Sequence, residues 1–261
     1  MPTPRPEDGP PAERSRPHDG GGRPRRPGQA QPATEPLDGK LARQPLDGGV
    51  AERRRAVVVA GHLGDRVSAD SGMTDPSPAV REAALGALDR LGMLDDSAVA
   101  HALEDTEPSV RRRAAELAAT RPRVALDRAL VDPAPMVVEM AAWALGERTD
   151  PIAVPSLVAL SDRLAGHHDP LCRESAVAAL GAIGDPSGLS AVVAALGDKP
   201  AVRRRAAAAL AAFDDPRAET ALRSCLADRD WQVRQIAEDL LAVGSGGETG
   251  SPGEGGGGSV G

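Results

Sequence analysis

Aromatic residues are almost missing from this sequence of 261 residues. Phe, Trp and Tyr together make up 1% of it, and the three that occur are Trp143, Phe213 and Trp231. A wide globular core usually depends on aromatic bulk, which this chain cannot supply. The apolar content is nevertheless 41% and consists mostly of Ala, Leu and Val. These side chains, alanine above all, favour close helix–helix packing over a wide sheet core.

Other features that the sequence lacks indicate the cellular environment of the protein. The two cysteines stand in unrelated contexts, which indicates reduced thiols rather than a disulfide framework. No apolar run approaches the roughly 18 residues that span a bilayer, and no secretory signal is visible at the N-terminus. A formal net charge of −7 argues against a surface built as a whole for nucleic acid. We therefore expect a soluble cytoplasmic protein without membrane contact.

Both ends of the chain are poor in large apolar residues. Residues 1–48 are dense in Pro, Gly, Arg and Glu, and residues 244–261 are rich in Gly and Ser. Such segments cannot bury enough surface to offset the entropy lost on ordering. We predict disordered arms at both ends and one folded domain at residues 49–243.

Within that domain one pattern recurs. It is clearest in DPSPAVREAALGAL, from Asp75, and weakest in AERRRAVVVAGHLG, from Ala51. A period near 30 residues leaves room for two short helices and two turns, and a small residue lets helices approach closely where they cross. One position holds alanine in all seven copies, at spacings of 28, 30, 27, 35, 30 and 31 residues: Ala56, Ala84, Ala114, Ala141, Ala176, Ala206 and Ala237. We therefore predict stacked helix pairs with these alanines at the crossings.

Residues that favour turns separate the helices of the repeats. Asp-Pro occurs six times, and this pair supplies a capping carboxylate and a preset φ at the start of a helix. The first helix of each pair is less regular. We expect one at residues 123–132, whereas residues 65–74 are a poor helix candidate. Glycines that we interpret as helix ends are Gly92, Gly146, Gly184 and Gly197.

The pattern D-P-x-x-V-R-x-x-A-x-x-A-L at residues 75–88, with its copies and AVPSLVAL at residues 153–160, resembles the HEAT-repeat superfamily. Its short-repeat branch, the PBS-lyase HEAT-like repeats named after phycobilisome lyases, matches best. The resemblance covers about residues 50–243. It implies an all-α fold, an α-solenoid of short helix pairs, which scaffolds, lyases and hydroxylases share. We expect a non-catalytic scaffold or adaptor for other proteins.

An arginine follows the repeat valine in most copies, and in three of them an aspartate precedes that arginine by six residues. Because the period itself explains this spacing, we interpret these residues as architecture and not as catalytic groups. We expect them to form a ladder between adjacent turns, with Val138 as the exception. Its members are Asp75, Arg81, Asp105, Arg111, Arg173, Arg203, Asp228 and Arg234.

Trp143 is the most informative single residue. Its counterparts in the other repeats are small or polar, so this position faces away from the packing seam, and an exposed tryptophan is typical of a binding hot spot. A longer neighbouring turn at residues 161–170 that folds over Trp143 is an equally good explanation. The candidate partner-binding residues on the concave face are Glu82, Arg112, Glu116, Glu139, Trp143, Glu174, Arg204, Gln235 and Asp239.

The repeat pattern is also compatible with functions other than a scaffold. A lyase-type protein that handles bilins or other tetrapyrroles shares the repeat pattern and offers no compact motif to test. The HEAT-like di-iron hydroxylases that modify deoxyhypusine carry His-Glu dipeptides, and none of the five histidines here precedes a glutamate. His167, His168, Asp169 and Cys172 cluster, but their spacing matches no closed zinc pattern. We expect no metal, no cofactor and no catalytic residue.

Arginine triples at residues 53–55, 111–113 and 203–205 suggest a basic strip for phosphates. However, residues 49–243 carry 23 basic against 29 acidic residues, and no aromatic stacking platform accompanies the arginines. A mixed solvated face is the simpler interpretation. We therefore expect a monomer whose partner is another protein or a peptide, and we disfavour nucleic acid.

Overall fold

The protein was analysed as a computed structural model, which describes residues 46–245. Within that range it contains helices and short 3-10 turns and no strand. The helices are α1 (Val50–Leu63), α2 (Arg66–Gly72), α3 (Pro78–Arg90), α4 (Asp96–Ala102), α5 (Pro108–Ala118), α6 (Pro135–Arg148), α7 (Val154–Ser161), α8 (Pro170–Ile183), α9 (Leu189–Ala195), α10 (Pro200–Ala209), α11 (Pro216–Cys225) and α12 (Trp231–Ser245).

The second helices of successive repeats stack in chain order. Helix α1 packs on α3, α3 on α5, α5 on α6, α6 on α8, α8 on α10, and α10 on α12. The first helices of the last three repeats form a second row, in which α7 contacts α9 and α9 contacts α11. Because each repeat buries its apolar face against its neighbours, the core is one continuous seam between the two rows. The predicted all-α solenoid is confirmed.

The repeat alanines occupy that seam, with one exception. Six of them are fully buried, at 0% exposure: Ala84, Ala114, Ala141, Ala176, Ala206 and Ala237. Ala56 is exposed, so the expectation for the first copy is wrong. Within the described residues no repeat precedes α1, and nothing there covers this position.

Glycines also form the close crossings of the second-helix row. A Cβ atom placed on Gly146 would lie 2.8 Å from the Cα of Ala179, and one on Gly181 would lie 2.7 Å from the Cβ of Ala209. The interpretation of Gly146 as a helix end is wrong, because α6 continues to Arg148 and ends at Thr149 in the left-handed region, at φ 51°. Gly146 permits the approach of α8 and does not terminate α6.

Two first helices differ from expectation. Residues 65–74, a poor helix candidate by composition, contain α2, because the Asp65 carboxylate accepts a hydrogen bond from the amide of Ser68 and caps the helix. Residues 123–132 hold only the 3-10 turn Ala129–Val131. This repeat has the shortest spacing, 27 residues, which leaves little chain for a full helix.

The predicted disordered arms, residues 1–48 and 244–261, lie almost entirely outside the described residues. The predicted domain at 49–243 corresponds in place to the helices from Val50 to Ser245. Among the described residues, no helix is both long enough and apolar enough to cross a membrane.

Candidate functional site

Arginine–aspartate pairs join neighbouring turns along one edge of the solenoid. In each pair the guanidinium of one repeat donates two hydrogen bonds to the carboxylate of the next, in the bidentate geometry that arginine favours. The pairs, with their shortest N–O distances, are Arg53–Asp75 (2.7 Å), Arg81–Asp105 (2.7 Å), Arg111–Asp132 (2.7 Å), Arg173–Asp198 (2.8 Å) and Arg203–Asp228 (2.9 Å). We call this series the turn ladder.

Each ladder arginine also holds its own turn. Arg81 donates to the backbone carbonyl of Asp75, six residues before it, and Arg234 donates in the same way to that of Asp228. The backbone carbonyl of the aspartate at this position thus accepts a hydrogen bond from the arginine of its own repeat. Its carboxylate accepts hydrogen bonds from the arginine of the preceding repeat. One step of the ladder is absent among the described residues: Val138 replaces the arginine, and His167 replaces the aspartate of the following turn.

The ladder carboxylates are held in their charged form. Hydrogen bonds from Arg53, Arg173 and Arg203 lower the pKa of Asp75, Asp198 and Asp228, respectively, below the usual range, against the opposing effect of burial. Because both side chains of each pair are hydrogen-bonded to each other, the turn ladder stabilises the stack of repeats. None of these side chains is free to act as an acid or a base.

The surface around Trp143 is open. Trp143 lies on α6 between Glu139, one turn earlier, and Glu147, one turn later, so the three side chains share one face of the helix. Trp143 is 42% exposed, in a chain whose aromatic residues are very few. The missing ladder step falls at this same junction, between α6 and α8.

Helix α8 supplies the opposite wall of a groove beside Trp143. Leu171, 54% exposed, and Glu174 lie on this wall, and Gly146 and Ala179 pack together at the floor. The cavity has a volume of about 510 Å³. We call it the α6/α8 groove; its lining residues are Glu139, Trp143, Gly146, Glu147, Leu171, Glu174, Ser175, Ala178, Ala179, Ala182 and Arg205.

The charge of the α6/α8 groove is negative. It contains three carboxylates and one guanidinium, and Arg205 lies 3.5 Å from Glu174. Glu139 and Glu147 form no ion pair with any described residue. The groove therefore combines a large apolar ring with two carboxylates that no described cation neutralises.

The structure brings three of the predicted partner-binding residues, Glu139, Trp143 and Glu174, into this groove. Four others are engaged in three pairs: Glu116 with Arg113, Arg204 with Asp230, and Gln235 with Asp239. Glu82 and Arg112 lie on α3 and α5, away from the groove. The sequence reasoning missed Glu147, Leu171 and Arg205. Only Glu147 had a usable signal, its spacing of four residues from Trp143.

Most residues of the arginine triples are engaged within the fold. The first arginine of each triple, Arg53, Arg111 or Arg203, belongs to the turn ladder. Arg113 and Arg205 pair with carboxylates of their own or a neighbouring helix, and Arg204 pairs with Asp230 in the turn before α12. The triples therefore mark the ladder rather than a continuous basic strip.

The His/Asp/Cys cluster separates in the structure. The Cys172 thiol is fully buried and lies 3.4 Å from the carbonyl oxygen of Pro135, and burial raises its pKa to about 11. His167 Nδ1 instead accepts a hydrogen bond from the amide of Asp169. Among residues 46–245, no three His, Cys, Asp or Glu side chains are grouped as a metal site requires.

Comparison with protein families supports the repeat assignment. Residues 158–242 match the family model of HEAT repeats, and residues 137–163 match the PBS lyase HEAT-like repeat. Residues 137–242 are therefore built from HEAT-type repeats. Residues 71–88 also match a model described as the HEAT repeat associated with sister chromatid cohesion. No curated protein matches the chain.

The solved structures that match the chain include a designed repeat protein and a human enzyme. A designed armadillo repeat protein, YIII(Dq)4CqI, is 19% identical, covers 67% of this chain and 97% of its own, and gives a TM-score of 0.48. Human deoxyhypusine hydroxylase in complex with glycerol is also 19% identical, covers 77% of this chain and 81% of its own, and gives a TM-score of 0.40.

Proposed function

We propose that this HEAT-repeat protein is a non-catalytic scaffold that captures another protein through the α6/α8 groove. The observation that carries this proposal is Trp143, a large apolar ring left 42% exposed on the second-helix row beside a cavity of about 510 Å³. Partly exposed tryptophans in pockets are the side chains most often found to dominate binding energy at interfaces.

Charge indicates the kind of segment that would fit. Glu139 and Glu147 flank Trp143, and Leu171 lies across the groove. A partner segment that places an apolar side chain against Trp143 and a basic side chain beside the glutamates would satisfy both walls. Outside the groove, Arg204, Gln235 and Asp239 lie farther along the second-helix row and would extend the contact.

The substitution Trp143→Ala tests the proposal. We expect it to weaken capture of the native partner at least tenfold, because it removes the ring that fills the interface. The free energy of unfolding should change by at most about 1 kcal/mol, since surface positions contribute little. Trp231→Ala is the matched control, because Trp231 is 64% exposed at the start of α12 and lies outside the groove.

The measurement is affinity capture from native cells by the tagged full chain, read by mass spectrometry and followed by titration with the purified partner. Binding that survives Trp143→Ala unchanged would remove the groove from consideration. Equal weakening by Trp231→Ala would assign the contact to a different surface.

A further inference from the structure

A second cavity lies at the turn edge of the last three repeats. It has a volume of about 440 Å³ and is formed by the extended turn after α7, the turn before α10 and the turn before α12. We call it the turn-edge pocket. Its lining residues are Arg163, Leu164, Gly166, His167, His168, Arg173, Gly197, Asp198, Lys199 and Arg229.

The repeat register aligns basic residues in this pocket. In the first three turns the residue directly after the ladder aspartate is uncharged: Pro76, Thr106 or Pro133. In the last three turns the same position holds His168, Lys199 and Arg229. Because consecutive turns lie next to one another in a solenoid, these three side chains line one cavity, and Arg163 joins them from the extended turn.

The turn-edge pocket contains no carboxylate that is free to pair with its cations. Its one carboxylate, Asp198, is buried, accepts two hydrogen bonds of 2.8 Å from Arg173, and accepts a third of 2.6 Å from the amide of Lys199. By contrast, Arg163, Lys199 and Arg229 are exposed, and none forms an ion pair with a described residue. The pocket therefore presents three exposed cations that have no ion-pair partner among the described residues, in a chain of net charge −7.

Neighbouring carboxylates are also engaged. Asp162 accepts hydrogen bonds from the amides of Leu164 and Ala165, and these bonds shape the extended turn. Asp230 pairs with Arg204 at 3.1 Å. Asp162 is thus bound to backbone amides and Asp230 to Arg204, and neither forms an ion pair with a cation of the pocket.

The ring of His167 adds a hydrogen-bond donor, and its tautomer is defined by the structure. His167 Nδ1 accepts a hydrogen bond of 3.1 Å from the amide of Asp169, so the proton of the neutral ring is on Nε2. The His168 ring stacks on it at a centroid distance of 4.5 Å. Arginine and lysine cations together with a fixed imidazole donor are the groups with which proteins bind phosphate oxygens.

We propose that the turn-edge pocket binds a phosphoryl group. A phosphate dianion offers three acceptor oxygens to three cations, whereas a single carboxylate would leave part of the positive charge unmatched. The phosphate can be free in solution or carried on a peptide side chain, and both present the same oxygens. This site is separate from the α6/α8 groove and does not depend on the function proposed for that groove.

Nuclear magnetic resonance of the ¹⁵N-labelled full chain tests the proposal. The probes are sodium phosphate, titrated against sodium chloride at equal ionic strength, and a phosphoserine peptide, titrated against the same peptide with serine. We expect saturable shifts of the Gly166 and Gly197 amides with both phosphate probes. The double substitution Lys199→Ala/Arg229→Ala should raise Kd at least tenfold. The control Arg66→Ala/Arg217→Ala removes two exposed cations from other helices and should leave Kd within twofold.

The two probes distinguish the source of the phosphoryl group. A phosphoserine peptide that binds at least tenfold more tightly than inorganic phosphate would assign the pocket to a phosphorylated side chain, and equal affinities would assign it to free phosphate. Shifts that do not saturate, that chloride reproduces, or that the control double variant weakens equally would overturn the proposal.

Discussion

At the scale of single residues, the turn ladder is the feature that most distinguishes this chain. The period of the sequence located most of its arginines, because most repeats place one directly after the same valine position. The sequence predicted that the ladder joins adjacent turns, but the spacing does not say which carboxylate each arginine binds. The carboxylate that pairs with Arg81 belongs to Asp105 of the next repeat, and not to Asp75 of its own. Spacing within a repeat does not reveal which neighbour a side chain will face.

The Arg173–Asp198 pair is the most buried step of the ladder, with side-chain exposures of 5% and 1%. Arg173→Ala leaves Asp198 buried without its cation, and we expect a loss of about 3–5 kcal/mol in the free energy of unfolding. Urea denaturation followed by circular dichroism measures it. Arg217→Ala, which removes an exposed pair within one turn, should leave the unfolding midpoint almost unchanged. Equal effects of the two substitutions would show that the ladder adds no stability.

Acid should destabilise the fold through the same residues. The pKa values of Asp75, Asp198 and Asp228 are lower in the folded state than the value of about 3.9 for an unfolded chain. A depressed carboxyl pKa stabilises the fold above the unfolded value, and this contribution is lost as pH falls through the folded value. Thermal melting between pH 7 and 2 should therefore show a steep loss of stability that begins near pH 4. Asp198→Asn should flatten that loss, and an unchanged profile would contradict the role assigned to the carboxylate.

At the scale of helices, small residues set the spacing of the second-helix row. The sequence predicted this role for the repeat alanines but assigned Gly146 to a helix end. Glycine has two uses that look alike in a sequence: a left-handed turn, as at Gly184 with φ 67°, and a close crossing, as at Gly146 and Gly181. Only the position of the neighbouring helix distinguishes the two uses, and that position belongs to the tertiary structure.

A matched pair of substitutions tests the crossings. Gly181→Ala would bring its Cβ to 2.7 Å from the Cβ of Ala209 and 3.1 Å from its Cα. The cost of overpacking, about 1–3 kcal/mol, should exceed the gain in helix propensity and lower the melting temperature. Gly86→Ala is the control, because the nearest atom, 3.1 Å away, is the mobile end of the Arg113 side chain. It should stabilise the protein by up to about 1 kcal/mol. Stabilisation by both would show that the helices can separate freely.

At the scale of the whole molecule, the fold followed from the sequence and the groove did not. A period near 30 residues with invariant alanines was enough to predict a solenoid. The α6/α8 groove needs residues from two repeats, and its members Glu147, Leu171 and Arg205 occupy positions that the repeat pattern leaves free. The same junction carries the longest spacing, 35 residues, and lacks the ladder pair because Val138 and His167 replace its members. The least regular junction of the stack is thus the one with the open surface.

The proposed capture of a partner at Trp143 can be measured directly by fluorescence. Trp231→Phe leaves Trp143 as the sole tryptophan, so its emission reports on the α6/α8 groove alone. As the purified partner is added, we expect the emission to shift to shorter wavelength and to saturate with the same Kd as an independent binding assay. Full binding with an unaltered Trp143 spectrum would contradict the proposal that this groove is where the scaffold holds its partner.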